Sequence, residues 1–160
     1  IPVEHRMPIM LEGIYQCYRV DYPEMLQYIN KASETGVRSI RDVLQVAQGE
    51  KLRKQLKEQQ YEYGELYAQS RTMLRHRGEE PRHLSHRAKM NLKMGVRMGT
   101  MMDRSPSKVA EMMIRGNTMG MTKSIKTLNH YSGHNENVRS LAVKLLRTEQ
   151  SNIDSLKSYL

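Results

Sequence analysis

The chain has 160 residues, enough for one domain with a sizeable core, and its 26 Lys and Arg against 17 Asp and Glu give a formal charge of +9, which directs attention to anionic partners without requiring one. One cysteine, Cys17, excludes an internal disulfide and a cysteine-based zinc cluster, and the lack of any apolar run of about 18 residues excludes a membrane-spanning helix. Phe and Trp are absent while Met numbers 13 and Tyr nine, so the core must be aliphatic and thioether-rich.

The opening IPVEHRM has neither a signal-like segment nor an initiator Met, so an upstream piece is allowed for and a cytoplasmic or otherwise intracellular setting is expected. Residues 1–22 read as an arm with a short helix over 9–18, its tyrosines Tyr15, Tyr18 and Tyr22 suited to packing on the rest of the chain or on a second subunit. The periodicity then predicts an all-α chain with almost no strand-like alternation. A first long helix covers 23–48, with Asp21 as cap and Pro23 in the first turn, and a second covers 50–77. A shorter helix over 86–103 follows RGEEPRH, a third long helix over 106–131 starts at Ser105-Pro106, and a fourth fills 136–159.

Apolar positions in the long helices recur by alternating steps of three and four, as facing helices of an antiparallel bundle require. The second helix carries Leu52, Leu56, Gln59, Tyr63, Leu66, Ser70 and Met73 on one seam. The fourth carries Ala142, Leu146, Glu149, Ile153, Leu156 and Leu160, so a carboxylate takes an apolar place. Gly36, Leu44 and Gly49 recur at constant spacing as Gly120, Leu128 and Gly133, a weak internal repeat. Each long helix thereby has one polar seam residue at a matching level: Ser33, Gln59, Asn117 and Glu149.

With SETGVRSI, KEQQYEYGEL, RGNTMGMTKSIKTL and RTEQSNIDSL on its four helices, the chain from about residue 22 onward resembles the ferritin-like four-helix bundles, most closely bacterial ferritin-like families of unknown function. Metal-binding members hold two ions with a Glu from each of two helices and a Glu-x-x-His pair from each of the others. Carried over by this resemblance, the ligand positions hold Gln59 and Glu62, Glu149 and Asn152, and Asn117, with Ser33 on the first helix and Glu34 well round its cylinder. Only Glu62, Glu149 and Glu34 are anionic candidates for iron. The resemblance therefore implies a degenerate metal site: a buried polar layer of Ser33, Gln59, Asn117, Glu149 and Asn152, in which the amides of Gln59 and Asn117 and the Ser33 hydroxyl donate to Glu149. It also allows a spore-coat or stress-related setting.

Other constellations carry weaker chemistry. Met90, Met94, Met98 and Met101 share a face of the short helix, where thioethers suit copper(I), fill gaps left by the missing Phe, or form an adaptable partner surface. Arg87, Lys93 and Arg97 on that helix suit an anionic lipid surface or a nucleic-acid backbone, or a plain solvated face. His76, His83, His86, His130 and His134 read as surface histidines. The sequence as a whole supports a non-enzymatic module for structure or protein interaction, self-associating or binding another protein, with no cofactor. The alternatives are a metal-binding ferritin-like protein using iron or copper, and a basic module for nucleic acid or anionic lipid.

Overall fold

Five helices account for nearly all of the regular structure in the computed structural model, which describes residues 20–160. The helix expected over 9–18, with Tyr15, Cys17 and Tyr18, lies outside the described residues. The helices are α1 (Tyr22–Leu44), α2 (Glu50–His76), α3 (His86–Thr100), α4 (Pro106–Asn129) and α5 (Glu136–Leu156), and a 3-10 turn over Lys157–Tyr159 ends the chain. Among the described residues there is no strand, only an isolated bridge between Val20 and Tyr131. No helix among them is long and apolar enough to cross a membrane.

Helix starts follow the local chemistry. Asp21 Oδ1 accepts the Glu24 amide at 3.0 Å with Pro23 in the first turn of α1, and Ser105 Oγ accepts the Lys108 amide ahead of α4. Each such cap satisfies a backbone donor that the helix leaves without a partner.

Helix ends differ from the sequence reading. α1 stops at Leu44 rather than at 48, because the chain turns over 45–47 and the Arg53 guanidinium of α2 donates to the carbonyls of Leu44 and Ala47. That cation supplies the partners that the last turn of a helix lacks and opposes the negative end of its dipole. α3 ends at Thr100 rather than 103 and α4 at Asn129 rather than 131, while α5 tightens into the 3-10 turn after Leu156 and leaves Leu160 64% exposed.

α1 packs mainly on α2, and α4 on α5; contacts of α5 with α1 and α2, and of α4 with α1, join the two pairs, while α3 lies against α1 and α4. Met25, Leu26, Ile29, Leu52, Leu56, Leu66, Leu145 and Leu156 are fully buried in one hydrophobic core, each contributing roughly 2 kcal/mol relative to exposure. Gly36 permits a close approach in the first pair: a β-carbon there would lie 2.6 Å from the Tyr63 ring.

The connection between α2 and α3 is held by a polar stripe on α1. Gln27 Nε2 donates to the Glu80 carbonyl and its Oε1 accepts the Arg82 amide; Asn30 Nδ2 donates to the Arg82 carbonyl; Glu34 Oε2 accepts the Leu84 amide. Residues three and four apart share one helix face, so a single stripe grips alternate backbone groups of the connection. Glu34, expected well round the cylinder from the apolar face, is instead buried beneath that connection.

Candidate functional site

A cavity of about 810 Å³ opens among α1, α3 and α4. Its apolar lining comes from Ala32 and Val43 of α1, Leu92 and Val96 of α3, and Met112 and Met113 of α4. Two features of sequence keep the space open. α3 is anchored through few buried side chains, Val96 and Thr100, and α4 places Gly116 and Gly120 on the wall.

Glu149 of α5 also lines this cavity and, at 3% exposed, is the most buried ionisable residue in the lining. Its Oε2 has no hydrogen-bond partner within the protein. Gly120 makes room for the carboxyl, since a β-carbon there would lie 2.9 Å from Glu149 Oε1. Burial pushes the Glu149 carboxyl up from its ordinary value to about 7, and a hydrogen bond with Ser124 acts in the opposite direction. The group therefore holds or releases a proton near neutrality.

Two tyrosines stand next to it. Tyr28 Oη lies 2.7 Å from Ser124 Oγ, and burial pushes the Tyr28 phenol up to about 12. Tyr63 Oη donates to Asn117 Oδ1 at 2.7 Å, and burial followed by the Glu149 charge raises its phenol further. Both phenols are thus neutral hydrogen-bonding groups. The cations along the cleft are more exposed: Lys31 and Lys123 are exposed outright, and Lys108 and Arg115 both pair with Glu111.

All five residues of the expected polar layer are buried: Ser33, Gln59, Asn117, Glu149 and Asn152. Their hydrogen bonding corrects the expectation that three of them donate to Glu149. Ser33 Oγ donates to the carbonyls of Ile29 and Asn30 on its own helix, Gln59 Nε2 to Ser155 Oγ, and Asn117 Nδ2 to the Met113 carbonyl. Ser33 and Asn117 thus bond to the preceding turn of their own helix, as short side chains do, while the longer Gln59 crosses to α5. Gln59 Oε1 and Asn152 Nδ2 join Glu149 Oε2 as buried atoms without a partner.

The three anionic metal candidates are not brought together as a ligand set. Glu34 is held by Arg38 Nε at 2.9 Å and by the Leu84 amide, Glu62 is exposed, and Glu149 is buried. Among the described residues no three His, Cys, Asp or Glu side chains are placed to hold a metal ion. His76, His83, His86, His130 and His134 are all exposed.

The methionines of α3 do not fill the core. Met90 is 48% exposed, Met94 53% and Met98 70%, with Met101 just beyond at 72%. Arg87, Lys93 and Arg97 on the same helix are exposed as well.

Sequence reasoning found Glu149 but missed Tyr28, Ser124 and Gly120 as its surroundings, and missed the cleft. Tyr28 stands two residues after Leu26 in a run of helical periodicity, and only its position facing Ser124 across the fold reveals its part. The chain matches no protein-family model, no curated protein and no solved structure.

Proposed function

We propose that the chain is a non-enzymatic protein-interaction module on a ferritin-like antiparallel four-helix bundle, self-associating through the methionine face of α3. In this reading α1, α2, α4 and α5 are the bundle helices, α3 occupies the long connection, and the polar residues at the level of Glu149 stand where ferritin-like relatives hold metal. The commitment of Glu34 to Arg38 and to the Leu84 amide favours this reading over a metal centre.

The observation that carries it is the exposure of Met90, Met94, Met98 and Met101 in one row, flanked by Arg87, Lys93 and Arg97. A soluble surface seldom leaves so many large apolar side chains together uncovered. Methionine adapts its shape to a partner at low cost, and an apolar centre with a polar rim enriched in Arg is the usual anatomy of a protein interface.

Light scattering coupled to size separation, over a concentration series, tests the proposal. The full chain is expected as a dimer or larger assembly, and the triple variant Met90→Ser, Met94→Ser, Met98→Ser as a monomer with unchanged helix content. A full chain that stays monomeric at the highest concentration contradicts it.

A further inference from the structure

We propose that the cleft among α1, α3 and α4 is a binding site for a lipophilic amine, a small organic molecule whose single basic nitrogen is held by the Glu149 carboxylate. This site is separate from the exposed face of α3 and goes beyond the interaction role. The cleft's 810 Å³ falls within the range of small-molecule pockets, which combine apolar walls with a few polar groups that fix orientation.

The chemical class follows from what the cleft lacks. Its walls offer apolar surface from Val43, Leu92, Val96, Met112 and Met113, but they also include Glu149, whose carboxylate has one oxygen without a donor. A buried polar atom without a partner is costly, and a charge-assisted hydrogen bond relieves that cost best. An ammonium supplies both the donor and the opposite charge. An alcohol supplies a donor alone. A carboxylate brings a second negative charge and no donor.

The cleft also limits the charge of the ligand. Exposed Lys31 and Lys123 line it, and Lys108 and Arg115 share the one carboxylate Glu111. A molecule with cations at both ends meets repulsion there. One nitrogen at the leading end, followed by an apolar body, avoids it.

The test is calorimetric titration of the full chain with octylamine, octanol and octanoate, slightly above neutral pH. Octylamine is expected to bind one per chain, about tenfold more tightly than octanol, with octanoate weakest. Glu149→Gln should weaken octylamine by about tenfold and leave octanol within about twofold. Gly116→Leu gives an independent variant: a β-carbon at Gly116 meets no atom within 4 Å, so the added side chain projects into open space and should weaken the amine and the alcohol alike. Octanoate binding as tightly as octylamine, octylamine indifferent to Glu149→Gln, or no saturable binding by any of the three would overturn the proposal.

Discussion

Two groups of buried polar side chains behave in opposite ways. Along α1, Gln27, Asn30 and Glu34 are buried and each is hydrogen-bonded to the backbone of the connection over 80–84. Around α5, Glu149 is equally buried, yet one of its oxygens has no partner in the protein, and the same holds for an atom each of Gln59 and Asn152. The first group is structural, because its polar atoms are satisfied within the fold. In the second, Glu149 leaves hydrogen-bonding capacity beside an open cleft, which is the condition for binding something from outside.

Substitutions should therefore differ in sign between the two groups. Glu34→Leu removes the partner of Arg38 and of the Leu84 amide together, and is expected to lower stability by about 3 kcal/mol in urea denaturation. Glu149→Leu strips no partner from a buried cation and is expected to raise stability by about 1–2 kcal/mol at slightly alkaline pH. If both substitutions destabilise alike, the contrast fails.

The contrast also has a pH dependence. The Glu149 carboxyl is raised from 4.5 to about 7 in the fold, so the folded state keeps a proton that the unfolded chain has released. Its contribution to stability is complete below about 4.5, declines as pH rises through about 7, and is flat beyond. The groups facing it are the neutral phenols of Tyr28 and Tyr63, with Lys31, Lys108, Arg115, Lys123 and Glu111 along the same cleft. Thermal melts over that window should show the decline in the native chain and lose it in Glu149→Gln.

Gly36→Ala sharpens the packing side of the comparison. The added methyl would press on the Tyr63 ring from 2.6 Å and disturb the Tyr63 to Asn117 hydrogen bond, for an expected loss of about 1–2 kcal/mol. The smallest effect should come from Arg82→Ala, which removes an exposed ion pair with Glu24 and is expected to change stability by less than about 0.5 kcal/mol. A larger loss there would mean that the connection is held by its side chains rather than by its backbone.

The helical character was legible from the three-four periodicity, and the starts of α1 and α4 from their capping residues. Seam positions were legible where helices pack tightly on both flanks: Leu52, Leu56, Gln59, Tyr63, Leu66 and Ser70 are all buried on α2. The seam then drifts, with Leu74 buried in place of Met73, because a straight helix takes slightly more residues per turn than the repeat assumes. On α4 Ile114 and Met121 are only partly covered while Val109 and Met113 are buried, because that helix faces an open cleft on one flank.

The buried position of Glu149 was readable from its place in an apolar seam, but its lack of a partner was not. Whether Gln59 or Asn117 reaches it depends on side-chain direction, and their shorter paths lead elsewhere. The grip of α1 on the connection was hidden for a different reason: its partners are backbone atoms of a segment with no periodic pattern. The paired glycines of the weak repeat gained a physical role only in three dimensions, since Gly36 admits the Tyr63 ring and Gly120 admits the Glu149 carboxyl.

The most direct test is an NMR titration of the Glu149 side-chain carboxyl carbon in the full chain, assigned by its loss in Glu149→Gln. A midpoint near 7, moved to lower pH by saturating octylamine, is the result expected of a buried carboxyl awaiting a cation. A midpoint near the ordinary 4.5, unmoved by the amine, would show that Glu149 is as well satisfied as the stripe on α1, and the distinction between the two regions would be lost.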